Sequence, residues 1–198
     1  MFVELAKYVD LRWRVAAGVV PVFLFLVAFV FPASADPLRL IDYAALFEKY
    51  SDRIVRNADG TKSVTLPDGV EIIDTGDGYF GHDPKGAVGC VAMLFIEIEA
   101  AGKRCPDLMD DKQATGFEAN KAKLLSYYAS NAFPPVPVER AAENYGAIVS
   151  TVAARKKQKA CDAASLDGVR TFLPGLLDVE ALETLLATPR LPVMDPCL

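Results

Sequence analysis

The feature that most constrains this chain is an N-terminal leader that precedes all four cysteines. Three basic residues in the first 14 positions are followed by an apolar run over 15–31, which leads to the small residues Ala33 and Ala35. A basic region, a short apolar stretch and an Ala-x-Ala ending are typical of a secretory signal peptide. We therefore expect residues 1–35 to be removed after Ala35, and 36–198 to be exported as one globular domain, periplasmic or secreted.

The alternative to cleavage is a leader retained as a membrane anchor. Gly18 and Pro21 interrupt the apolar run, which is shorter than the ~20 residues that a membrane-spanning helix needs. Both features favour cleavage. If the leader were retained, the protein would be a membrane-tethered accessory subunit.

The acidic balance of the chain limits its partners. The whole sequence contains 21 basic and 26 acidic residues, and the leader removes three basic residues together with Glu4 and Asp10. The remaining 18 basic and 24 acidic residues give the exported part a net charge of −6. An acidic surface disfavours nonspecific binding to nucleic acid or anionic lipid. We therefore expect no nucleic-acid partner, and no membrane association after cleavage.

The four cysteines, Cys90, Cys105, Cys161 and Cys197, are disulfide candidates in an oxidising compartment. They can pair in three ways. Sequential pairing would join Cys90 to Cys105 and Cys161 to Cys197, and we favour the second of these bridges. The first conflicts with a helix, because an unbroken helix from 90 to 105 would separate its ends by about 22 Å. The connectivity therefore stays open.

The hydrophobic pattern predicts a mainly α architecture of the α+β type, with one small β-hairpin early in the domain and disulfide reinforcement. The hairpin is expected over 63–66 and 70–73, because Pro67-Asp68-Gly69 between them is typical of a tight turn. The segment 87–101 is apolar on all sides, so it is either a buried helix or a central strand. Its length and Gly102 favour a helix. The other helices are predicted over 37–50, 115–130 and 138–152, and near 165–172 and 178–187. Asp178 is expected to cap the last of these.

The glycine-rich segment 76–86 contains the only histidine of the chain, so it is the best candidate for a ligand site. Such a segment can present a general base or bind a polar ligand. The simpler interpretation is a connecting loop whose polar residues face water. The weak candidates for ligand binding are Asp77, Tyr79, His82, Asp83 and Lys85.

The sequence assigns no catalytic residue, no metal site and no cofactor. One histidine and the lack of a Cys-x-x-Cys pair argue against zinc or thiol redox chemistry. The acidic residues near 74–83 do not follow the ligand spacing of a calcium-binding EF-hand loop.

The favoured hypothesis is an exported noncatalytic protein, inhibitor-like or immunity-like, that binds another protein of the cell envelope. The alternative is a small periplasmic hydrolase or ligand-binding protein that uses the 76–86 segment.

Overall fold

The computed structural model describes residues 36–155, 161 and 163–197, except for the side chains of 163–165. The predicted leader and its cleavage after Ala35 lie outside these residues. Within the described ranges, no helix combines the length and the apolar content required of a membrane span.

The domain has six α-helices and a four-stranded sheet within the described ranges, which confirms a mainly helical fold with an early β-hairpin. The helices are α1 (Tyr43–Lys49), α2 (Val88–Gly102), α3 (Asp111–Asn131), α4 (Val138–Arg155), α5 (Ala163–Leu177) and α6 (Val179–Leu186). The strands are β1 (Val55–Arg56), β2 (Lys62–Thr65), β3 (Glu71–Asp74) and β4 (Tyr79–His82). Two short 3₁₀ helices cover Ser51–Arg53 and Pro106–Leu108.

The first helix begins later than its apolar spacing predicts, because the preceding residues form a turn around a buried carboxylate. Asp36 accepts backbone hydrogen bonds from Leu38 at 2.9 Å, from Leu40, and from Ile41 at 2.7 Å. Burial raises the pKa of Asp36, although these backbone donors oppose the shift. Asp42 then caps α1 by accepting from the backbone N–H of the third helical residue.

The predicted hairpin forms β2 and β3, and the sheet extends it on both sides in the antiparallel order β1-β2-β3-β4. Gly69 in the connecting turn has φ +95°, a conformation that favours glycine. At the other end of β3, the Gly76 N–H donates to Asp74 at 2.9 Å, and Lys62 lies 3.3 Å from the same carboxylate. The backbone hydrogen bond and, more weakly, Lys62 lower the pKa of Asp74.

The interpretation of 76–86 as a loop is wrong for 79–82, which form β4 opposite β3. The reason is a close approach of the C-terminal tail, residues 189–197. A Cβ on Gly81 would lie 2.6 Å from the Cβ of Val193, so the tail reaches β4 only because this residue is glycine. Gly81 therefore permits close packing against the tail and does not mark a connecting loop.

The segment 87–101 is a helix, as its length and Gly102 indicated. It is apolar on all sides because α4 and α5 pack against α2, which buries side chains such as Phe95, Ile96 and Ile98. Asp178 caps α6 as expected, by accepting from the Ala181 N–H at 3.0 Å.

Sequential disulfide pairing is wrong. The bridges join Cys90 to Cys197 and Cys105 to Cys161, with Cα separations of 5.2 and 5.7 Å. The helix α2 explains this result, because it places Cys90 near one end and Cys105 beyond the other, out of mutual reach. The tail instead returns to the start of α2.

The buried apolar side chains of the described residues form two hydrophobic clusters. The larger one lies among α2, α3, α4 and α5, and includes the tilted ring pair of Phe95 and Phe117. The smaller one lies between α1 and the sheet, and it takes in Leu191 and Val193 from the tail. The tail thus belongs to the core of the sheet and, through Cys197, is bonded to the helical layer.

Candidate functional site

The five predicted ligand-binding residues do not converge. Asp77 and Lys85 are exposed. Tyr79 instead packs inward, where its ring stacks on Tyr43 with centroids 4.9 Å apart and contacts Phe47 at 5.6 Å. Burial, and then the charge of Asp36, raise the pKa of Tyr43. The stacking contact shows that both rings serve packing.

Asp83 is buried, and it forms an ion pair with Arg190 of the tail. The side chains of Asp83 and Arg190 are 1% and 2% exposed, and Arg190 Nε donates to Asp83 Oδ2. The other guanidinium nitrogens donate to the carbonyls of Gly86, Leu185 and Thr188, each at 2.9 Å. These contacts use four of the five guanidinium N–H donors and join the segment after β4 to the end of α6 and the tail.

Tyr127 of α3 supports the same junction. Its hydroxyl accepts from the Arg190 N–H at 3.0 Å and donates to the Thr188 carbonyl at 2.9 Å. Burial raises the pKa of Tyr127, and Arg190 opposes the shift. The neutral phenol therefore keeps its proton for the hydrogen bond to the tail.

Backbone hydrogen bonds hold the tail against β4 and α2. The Asp83 N–H donates to the Asp195 carbonyl at 2.8 Å, and the Asp195 N–H donates to the Gly81 carbonyl at 3.1 Å. The Gly89 N–H donates to the Val193 carbonyl at 2.7 Å. Asp83 is therefore bound to the tail through its backbone as well as its side chain.

His82 forms the one polar pair of this region that faces solvent among the described residues. Its Nδ1 lies 2.6 Å from Asp195 Oδ2, and the two side chains are 46% and 37% exposed. The carboxylate orients the imidazole ring, as it does in catalytic histidine pairs. Sequence reasoning missed Asp195 because it lies 113 positions from His82.

The described residues contain no group of three or more His, Cys, Asp or Glu side chains placed to hold a metal ion. All four cysteines are in disulfides, so Cys90 is not a thiol nucleophile beside His82.

A concave apolar surface lies between α2, α5 and α6. We call it the apolar groove, and its volume is about 200 Å³. The large side chains that line it are Val91, Leu94, Phe172, Leu176, Leu182 and Leu185. Gly175 and Ala181 complete the lining, and a Cβ on Gly175 would meet no atom within 4 Å, so small residues keep the groove open.

No family model, curated protein or solved structure matches this chain.

Proposed function

We propose that this chain is an exported noncatalytic binding protein whose apolar groove receives an apolar segment of another envelope protein. The observation that carries the proposal is the groove itself, where Phe172 is 42% exposed beside the buried Leu176 and Leu182. Exposed apolar concavities of this kind are typical of protein-binding sites. Export is supported by the leader and by two disulfides, which are typical of proteins in oxidising compartments.

Charge complementarity narrows the choice of partner. The described charged side chains of α5 and α6, including the cap of α6, give a net charge of −3. They are Asp167, Arg170, Asp178, Glu180 and Glu183, and the last of these is paired with Lys123 of α3 at 2.5 Å, which leaves a charge of −2. An amphipathic segment with apolar residues that enter the groove and Lys or Arg residues on its flanks complements this surface.

The hydrolase alternative has less support from the 76–86 segment. Asp83 is occupied by Arg190, and Tyr79 is stacked in the core of the sheet. His82 and Asp195 remain as an exposed pair, without convergence of the other predicted groups.

The test uses the full chain, expressed with its own leader and purified from the cell envelope. The protein captures partners from envelope extract, and calorimetry then measures the Kd of each identified partner for the groove variants. Phe172→Asp should weaken binding at least about tenfold, because it places a charge in an apolar contact. Phe80→Asp is the matched control, since Phe80 is 45% exposed on β4.

Gly175→Leu separates loss of binding from loss of folding. The new side chain fills the groove without a clash at its Cβ, and leucine has a higher helix propensity than glycine. We expect an unchanged or raised Tm together with loss of the partner. The proposal would be overturned if every partner bound Phe172→Asp and Gly175→Leu as tightly as it binds the unsubstituted protein. It would also be overturned if no saturable partner were found.

A further inference from the structure

A second concavity lies between α1, the β2–β3 turn, the C-terminal end of α3 and the tail. We call it the Lys49 cleft, and its volume is about 340 Å³, at the lower end of the range for small-ligand pockets. Its lining includes Leu46, Lys49, Tyr50, Leu66, Phe133 and Leu191.

The cleft offers an apolar surface on two sides. Leu46, Leu66 and Leu191 are buried members of the core of the sheet, and Tyr50 and Phe133 are partly exposed rings packed against that core. Aliphatic side chains and aromatic faces together suit the apolar body of a small ligand.

A cation without a carboxylate partner lies beside these rings. Lys49 Nζ lies 5.0 Å from the centroid of Phe133 and 5.2 Å from that of Tyr50. The guanidinium of Arg53 lies 5.6 Å from the same Tyr50 ring. Among the described residues, no carboxylate oxygen lies within 4.0 Å of Lys49 Nζ. The ammonium group is therefore available to an anion.

Asp68, the acidic side chain among the lining residues, is already hydrogen-bonded. Asp68 accepts from the backbone N–H groups of Val70 and Leu191, each at 3.0 Å. The carbonyl groups at the C-terminal end of α3 carry partial negative charge and would otherwise favour a cation. Carbonyls in its last turn, however, also accept hydrogen bonds. They are those of Tyr127, Tyr128 and Ala129.

We propose that the Lys49 cleft binds a carboxylate attached to an apolar body. The body lies against the leucines and the two rings, and the carboxylate pairs with Lys49. Two sources have this chemistry, namely a free aliphatic or aromatic acid and the C-terminal residue of a peptide. The proposal is independent of the apolar groove, because the two concavities share no lining residue.

The test follows amide chemical shifts of the full protein by NMR during titration with phenylacetate and with phenylacetamide. Phenylacetate should shift the amides of Leu66, Ser130 and Leu191 saturably, and the uncharged amide should bind about tenfold more weakly. The peptide Ala-Ala-Phe, with a free or an amidated C-terminus, distinguishes the two sources. Tighter binding of the free-acid peptide than of phenylacetate assigns a peptide terminus, whereas weaker binding assigns a small acid.

Two exposed substitutions locate the site. Lys49→Met should weaken phenylacetate binding about tenfold, because the ammonium is replaced by an uncharged chain of similar length. Ser130→Trp should block the cleft, since Ser130 is an exposed lining residue on α3. Lys112→Met is the control, because Lys112 is exposed and lies about 28 Å along α3 from the cleft. Absence of phenylacetate binding, or equal affinity in Lys49→Met, would overturn the proposal, while partner binding at the groove would be unaffected.

Discussion

The clearest prediction concerns Asp83, which the sequence presents as a site residue and the fold uses as a buried ion-pair partner. Asp83→Asn keeps the size of the side chain and one acceptor for the Lys85 N–H, which lies 2.8 Å from Asp83. It leaves the buried guanidinium of Arg190 without its counter-charge. Removal of one partner from a buried ion pair costs about 3–5 kcal/mol. We expect the lower end, about 3 kcal/mol, because the three carbonyl contacts of Arg190 persist.

The assay is equilibrium unfolding in urea at neutral pH, with the disulfides oxidised, followed by circular dichroism. With an m-value of about 2 kcal/mol/M, a loss of about 3 kcal/mol lowers the midpoint by about 1.5 M. Asp77→Asn is the matched control, since Asp77 is an exposed aspartate just before β4, and its effect should stay within about 0.5 kcal/mol.

A double-variant cycle tests whether the effect comes from the pair itself. Arg190→Met should also be strongly destabilising, because it leaves the Asp83 carboxylate buried and unpaired. The double variant Asp83→Asn, Arg190→Met should be more stable than the sum of the single effects predicts. A cost below about 1 kcal/mol for Asp83→Asn, or strict additivity, would refute the structural role and restore Asp83 as a candidate site residue.

The Cys105–Cys161 bridge, Gly89 and Asp74 each make a contact whose loss can be measured. Replacement of Cys105 and Cys161 by Ala should lower the free energy of unfolding in urea by about 4 kcal/mol, because their bridge closes a loop with a sequence separation of 56. Peptide mapping without reduction that showed sequential pairing of the cysteines would contradict this. Gly89→Ala should destabilise the protein and raise the rate of hydrogen exchange in the tail, because the new Cβ would lie 2.7 Å from the Val193 carbonyl carbon. Exchange rates in the tail equal to those of the unsubstituted protein would argue against tail docking. Because the pKa of Asp74 is lowered in the folded state, the Asp74 carboxylate contributes stability above its unfolded pKa, and this contribution is lost as the pH falls. The Asp74→Asn protein should therefore lose less stability on acidification than the unsubstituted protein does. Parallel profiles of stability against pH for the two proteins would contradict this.

The local elements were predictable because their signals lie within a few residues. Pro67-Asp68-Gly69 indicated the hairpin through its turn chemistry, and Asp178 indicated the start of α6 through its capping position. Gly102 marked the end of α2, a helix that apolar periodicity alone did not distinguish from a strand.

The candidate site was less predictable, because its contacts join distant parts of the chain. Polar residues in a glycine-rich segment suggested water or ligand, yet Asp83 meets Arg190 at a separation of 107 positions. His82 was identified as exposed and polar, whereas its partner Asp195 had no local signal. The two concavities were also missed, since each is built from elements that are far apart in sequence.

The sequence by itself determined the helical and hairpin elements, the acidic charge and the availability of four cysteines, since these depend on composition and on interactions between near neighbours. Only the tertiary structure decided which cysteines pair, where Asp83 lies and which surfaces remain open. The physical reason is the rigid length of α2, which separates Cys90 from Cys105 and lets the tail return to the start of the helix. The returning tail then buries Arg190 against Asp83 and forms one side of the Lys49 cleft.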